Sequence, residues 1–340
     1  MPISEIAQPA IRLARQGCTI TPYQEYTFSI LKSILLHSEE SARVYGKDGR
    51  LLQEGEKCYL PQFADTLEFL CREGVREFYE GEIGIRLARD HAGNGGSLSL
   101  EDLAAYEVRV RTPLRSQYRG HTLLTNPPPS AGGSMITLGL ALLSQWGVPL
   151  PDRKSHEYAR ILGNVMNAMH HGRIEKINDS PHPEKVMAEV LNQEYLFDLR
   201  KRFDLLGNTT HISVMDSKGN AAGITTTLGG ASGEMIPGTD MILNNMLGEL
   251  DLFPLGNYTW PENIRVSSMM SPSIILREGA PWVTMGSGGS SRIRTALLQV
   301  ALNLIDHKLS IRDAVLAPRL HWEDYVMNME PGFLSDKASF

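Results

Sequence analysis

In residues 211–230, HISVMDSKGNAAGITTTLGG, apolar and polar side chains alternate along HISVMD ahead of a short polar turn and the segment AAGITTTLGG. Ile212 and Val214 fall on one face, His211 and Ser213 fall on the other, and DSKGN supplies the turn, so the stretch predicts an antiparallel hairpin. PSIILREGAPWVTMGSGGSS repeats the form with REGA as its turn, and RIRTALLQVALNLIDH behind it predicts an apolar helix. Ahead of residue 205 the spacing is mostly helical. PAIRLARQG carries apolar Ile11, Leu13 and Ala14 and stops at Gly17, and YTFSILKSILLHS carries Ile30, Leu31, Ile34 and Leu35. FADTLEFLCREG and IGIRLARDHAGNGG follow the same pattern, and SLEDLAAYEV opens with Ser99 and Asp102 spaced as a helix cap. RTPLRSQYRGHTLLTNPPPSAGG predicts two short strands and a proline-rich turn, and it leads into the buried helix SMITLGLALLSQWG and the long helix SHEYARILGNVMNAMHHGRIEKI. Helices, then hairpins, then a helix predict an α+β fold on an antiparallel sheet rather than a doubly wound parallel one.

Composition narrows the function classes. Charged residues make up 21% and hydrophobic ones 42%, the balance of a folded globular protein. A net charge of −6 without a basic patch argues against nucleic acid as a partner. No run of about 18 apolar residues predicts a membrane span, and MPISEIAQPAIRLARQG does not read as an export signal. The chain as written is therefore expected in the cytoplasm, with the periplasm or secretion as the alternative if a segment precedes Met1. Cys18, Cys58 and Cys71 form no CxxC pair and read as core or surface thiols. His170 and His171 are adjacent on a helix, point in different directions and do not make an i, i+4 metal pair, so no metal is expected. Asn208-Thr209-Thr210 and Asn257-Tyr258-Thr259 fit the glycosylation pattern, but without an export signal both read as chance matches.

The junction Asn208-Thr209-Thr210 lies at the mouth of the first hairpin. A threonine hydroxyl is a poor nucleophile unless a base lies within reach, and a threonine's own α-amino group, with a pKa of about 7.7–8.0, suits that task. Thr209 gains such an amine only if the Asn208–Thr209 bond breaks, and its own hydroxyl can attack the Asn208 carbonyl. Thr225 and Thr227 on the paired strand are placed to hold that hydroxyl. The other reading is that these threonines are ordinary strand residues. In GSGGSS, residues 286–291, glycines and a helix N-terminus suit an oxyanion or carboxylate, or simply a turn needing positive φ. Neither GxxxxGK nor GxSxG occurs there. Ser267 and Ser268 read as strand-entry residues or ligand donors, and Glu249 as a solvated carboxylate or a partner for a substrate ammonium.

Together these segments resemble the γ-glutamyltranspeptidase family of N-terminal nucleophile hydrolases. NTTHISVMDSKGNAAGITTTLGG resembles its processing site and first hairpin, and NNMLGELDL, SSMMSP and GSGGSSRI follow in the family's order. PAIRLARQG, EFYEG, LSLEDLAAYEV, RTPLRSQYRG and NPPPSAGG match upstream, and APRLHWE matches near the end. The resemblance implies an αββα sandwich made as a precursor, with residues 1–208 belonging to a mostly helical large subunit and 209–340 to a small one, the two staying paired. It implies that Thr209 is both the autocleavage agent and the nucleophile, that Thr227 hydrogen-bonds it, and that Thr225 sits one pleat earlier. Gly289 and Ser290 would supply backbone oxyanion donors, and Ser267 and Ser268 would bind the substrate α-carboxylate. Glu249 stands where the family has an aspartate for the substrate ammonium. Gly229 replaces a substrate-gripping asparagine, and Met246 replaces a glutamine after the NN pair that ends in Asn245. The family's carboxylate-binding arginine lies upstream of the region matching Met1, and the final strands lie beyond Phe340.

The implied reaction is attack on an amide carbonyl, an acyl-threonine ester, and transfer to water or an amine, with glutathione or another γ-glutamyl compound as donor and no metal or organic cofactor. Two alternatives stand beside it: an N-terminal threonine amidohydrolase for a non-glutamyl small amide, and a truncated, non-catalytic homologue.

Overall fold

The computed structural model describes residues 1–147, 149–172, 208–249, 252, 265–323 and 326–335. It divides into two compact units, one made of residues 1–110 with 230–245 and the other of 111–229 with 246–340. The expected processing junction at Asn208–Thr209 therefore falls inside the second unit.

The first unit is helical with short two-stranded ladders. Helix Ile3–Gln16 packs on helix Pro61–Glu73 through Ile11, Ala14 and Ala64. Leu13 faces water, because the inward stripe of that helix passes through positions 11 and 14. The predicted helix YTFSILKSILLHS is divided at Leu31 into Pro22–Ile30 and Lys32–Leu35, where the Ile34 N–H bonds the Leu31 carbonyl in a tighter i→i+3 closure. Only Leu35 of its four apolar positions is buried. Ser99 and Asp102 form the expected capping box at the start of helix Leu100–Ala105. Segment 230–245 is tied in by Asp240, whose buried carboxylate accepts from Arg43 Nη2 at 2.5 Å and from the Gln62 N–H at 2.8 Å. Cys18 is exposed, Cys58 buried and Cys71 intermediate, and all three are free.

The second unit carries the predicted hairpins. Strands β1 (Leu114–Tyr118) and β2 (His121–Thr125) lead into helices α1 (Ala131–Ser144) and α2 (His156–Gly172). The rest of the predicted helix after Gly172 lies outside the described residues. Next come hairpin β3 (Asn208–Met215) and β4 (Ala221–Gly229), then hairpin β5 (Ser273–Arg277) and β6 (Ala280–Met285). Helices α3 (Arg292–Ile305) and α4 (Ile311–Leu316) precede a final hairpin, β7 (Leu320–Glu323) and β8 (Val326–Met329). Strands β6, β5, β2 and β1 form one antiparallel sheet in that order, and β3 and β4 pair beside it. This is the α+β arrangement that the sequence predicts.

One core fills the second unit. Met135, Leu138 and Leu140 of α1 meet Leu162 and Met166 of α2 and Leu298 of α3 over the inward residues Leu123, Ile275 and Val283 of the sheet. Helix α1 is buried nearly all round, which explains its almost unbroken apolar sequence. No described helix is long and apolar enough to cross a membrane. Leu162 is fully buried. Leu162→Ala is expected to lower the unfolding free energy by about 2–5 kcal/mol, read from the urea midpoint at constant slope.

Candidate active site

The site begins with the register of β3 and β4. Thr209 stands opposite Thr227, and their hydroxyls share a hydrogen bond with Oγ1 atoms 3.1 Å apart. The Gly229 N–H donates to Thr227 Oγ1 at 3.0 Å, so the threonine partnering Thr209 is itself held by backbone. The ladder slips between Asn208 and Thr209: Asn208 pairs with Gly229, and Leu228 is left as the extra residue of a β-bulge. Gly229 has φ of 62°, a left-handed conformation that glycine and, next, asparagine adopt at least cost. A glycine at this position is therefore compatible with the backbone, although it provides no side chain to grip a ligand.

Thr225 does not hold Thr209. It faces His211, and its Oγ1 lies 2.7 Å from His211 Nδ1. The expectation that both threonines would reach the nucleophile is corrected, because antiparallel pairing gives each β4 residue one opposite partner. His211 Nε2 lies 2.9 Å from Ser213 Oγ, which donates to the Thr284 carbonyl on β6 at 3.0 Å. Burial lowers the His211 pKa below its ordinary value and favours the neutral ring. This chain of contacts links β3 to the main sheet. His211 follows Thr209 and Thr210 in the sequence, yet its contacts were not legible, because they depend on Thr225 of β4 and, through Ser213, on β6.

The loop before α3 closes on Thr209 from the other side. A Cβ on Gly288 would lie 2.1 Å from the Thr209 carbonyl oxygen, so glycine alone permits this approach. A narrow cleft is lined by Thr209, Thr227, Met246, Glu249, Ser268 and Ser290, with Leu252, Met269, Met270 and Ile293 as its other walls. Of the sequence-selected residues, Ser267 is buried beside this segment without lining the cleft, and Gly289 lines the other side of the loop. Asn245 is exposed and belongs to the first unit.

Ser268 is fixed by the NPPPSAGG turn. The Ala131 N–H donates to the Ser268 carbonyl at 2.9 Å, and Ser130 Oγ donates to the Met270 carbonyl at 2.6 Å. That motif therefore positions a wall of the cleft, a role for Ser130 that no local spacing announces. Among the described residues no cluster of side chains is arranged to hold a metal ion.

A strand-borne threonine, paired with a second threonine and facing a glycine-rich loop on an α+β scaffold, defines the class of site. A family model described as gamma-glutamyltranspeptidase matches residues 1–339, and the chain belongs to that family. It is 30% identical over 370 positions to the glutathione hydrolase proenzyme of Escherichia coli (strain K12), an alignment covering 99% of this chain and 64% of that protein. It is also 30% identical over 346 positions to the acylase ACY 1 proenzyme of Pseudomonas sp. (strain SE83), covering 97% and 62%. A cephalosporin acylase from Bacillus halodurans shares the fold with a TM-score of 0.82 at 22% identity, covering 98% of this chain and 65% of that one. The chain thus spans just under two thirds of the length of these relatives. Gly288→Ala is expected to lower the unfolding free energy by about 1–3 kcal/mol, measured by urea titration, because the methyl group would overlap the Thr209 carbonyl.

Proposed function

We propose that the chain carries the nucleophile of an N-terminal threonine hydrolase and acyltransferase, made as a precursor and cut before Thr209. The carrying observation is the 3.1 Å contact between the Thr209 and Thr227 hydroxyls, placed at a bulge next to the Asn208–Thr209 bond. In processing, Thr209 Oγ1 attacks the Asn208 carbonyl, the C–N bond breaks, and the acyl group moves from nitrogen to oxygen. Water hydrolyses the resulting ester and leaves a free α-amine on Thr209. In turnover that amine accepts the hydroxyl proton while Oγ1 adds to a substrate amide carbonyl. The oxyanion meets the backbone N–H groups of Gly289 and Ser290, and the leaving amine departs with the proton. Water or an acceptor amine then takes the acyl group from the threonine ester.

The two fragments would stay together. The core of the second unit draws on residues from both sides of the cut, Tyr118–Met169 and Met269–Phe333, so breaking one bond leaves its apolar contacts in place. We place this unit within the αββα sandwich implied by the family resemblance, with segment 209–340 as the small subunit.

A γ-glutamyl amide such as glutathione is the leading donor, with Glu249 facing its ammonium and Ser268 its carboxylate. The second reading, a non-glutamyl acyl amide, is favoured by the apolar walls of the cleft and by Met246 and Gly229 in place of polar grips. Parallel assays with a γ-glutamyl anilide and with aliphatic acyl anilides separate the two, and equal or faster aliphatic turnover selects the second. Mass spectrometry of the purified protein is expected to show two fragments meeting at Asn208–Thr209, one uncut chain for Thr209→Ala, and partial cutting for Thr209→Ser. A chain that stays whole with Thr209 intact, and turns over no amide, would leave the non-catalytic homologue as the reading.

A further inference from the structure

Behind the cleft lies a charged cluster that the reaction above does not use. Glu323 on β7 and Arg294 on α3 are buried, with Arg294 Nη2 2.5 Å from Glu323 Oε1. His321 Nε2 lies 3.1 Å from Glu323 Oε2, and His170 Nδ1 on α2 lies 3.4 Å from Oε1. Burial alone would raise the Glu323 pKa, but the Arg294 charge and the hydrogen bonds outweigh it and hold the carboxyl below the usual range. A buried pair of this kind is a weak source of stability, because desolvating both ions offsets much of their attraction. Its placement suggests a more specific role.

Both charged groups grip Ser291. Ser291 Oγ donates to Glu323 Oε2 at 2.6 Å, and Arg294 Nη1 donates to the Ser291 carbonyl at 2.6 Å. The two residues before it are held in uncommon conformations, Gly289 at φ 116° and Ser290 at φ 51°. A serine in the left-handed region costs free energy and persists only when its surroundings over-determine it. Ser290 lines the cleft with Thr209, and Gly288 abuts the Thr209 carbonyl. The ion pair is thus anchored one residue from the strained serine.

We infer that Glu323 is a positioning residue, which acts with Arg294 through Ser291 to fix the Gly289–Ser290 backbone against Thr209. The inference rests on the proposed oxyanion role of that loop. Oxyanion stabilisation depends on donors already aimed where charge develops, so a loop free to relax loses rate rather than affinity.

The test compares wild type with Ser291→Ala, which removes the side-chain anchor and leaves the ion pair. Turnover of an anilide substrate is expected to show kcat reduced about tenfold or more, with KM within about twofold. Ser291→Thr, which keeps the hydroxyl, is expected to restore most of kcat. Hydrogen exchange at the 289–291 amides gives a readout independent of turnover and should quicken in Ser291→Ala. Glu323→Ala strands the Arg294 charge and can fail to fold, so the paired variant Glu323→Leu with Arg294→Met removes the same anchor without leaving a buried charge. It is expected to match Ser291→Ala in both readouts. Unchanged kcat and unchanged exchange in Ser291→Ala, in a wild type that turns over amides, overturn the positioning role. So does a loss confined to KM. Anchor-dependent exchange in a protein that neither cuts itself nor turns over any amide supports the loop-holding role and removes the proposed function instead.

Discussion

The contact between Thr209 and Thr227 across one hairpin fixes the geometry of the rest of the site. Strand side chains alternate with period two, so a one-residue slip would turn Thr209, His211 and Ser213 to the opposite face together. The bulge at Leu228 allows Thr209 to face Thr227 while Asn208 faces a left-handed glycine. A chemically ordinary hydroxyl thereby acquires a fixed direction at the point where the backbone ladder is interrupted.

Two other segments converge on that pair, and β3 is itself tied to the sheet. The loop at Gly288 reaches Thr209 because it lacks a Cβ, and α3 begins directly behind it. The 268–270 segment is held by the Ser130 and Ala131 contacts. His211 and Ser213 join β3 to β6. Most of these anchors are neutral hydrogen bonds, and the buried Arg294–Glu323 pair serves the segment that holds the left-handed Ser290. A left-handed serine persists where its surroundings over-determine it, and here both the side chain and the carbonyl of the next residue are held.

What was legible in the sequence follows from range. Hairpins with turns at DSKGN and REGA, the Ser99 cap and the apolar helices α1 and α3 are set by neighbours within a few residues, and the structure contains them. The break at Leu31 was not legible, since apolar spacing records which residues face inward but not where a helix tightens. Thr225 was expected to hold the Thr209 hydroxyl together with Thr227, but the pairing register places it opposite His211. The Arg294–Glu323 pair left no local signal, because the residues lie 29 positions apart on a helix and a strand. The division into compact units was equally hidden, because segment 230–245 joins the first unit through the buried Asp240 carboxylate.

The lining of the cleft constrains which acyl group can be desolvated there. Among the described residues lining this cleft, Glu249 is the one charged side chain, and Met246, Met269 and Met270 supply apolar walls. Among the described lining residues, an ammonium would meet the Glu249 carboxylate and a carboxylate would meet the Ser268 and Ser290 hydroxyls. Hydroxyls can satisfy a carboxylate's lone pairs, yet they do not replace an opposite charge once water is excluded. An apolar acyl chain has no such requirement and gains from the methionine walls, whose flexible thioethers adapt to varied shapes. On the proposed reading, the charge that answers a γ-glutamyl carboxylate therefore has to come from outside the described lining, whereas an uncharged acyl group needs none.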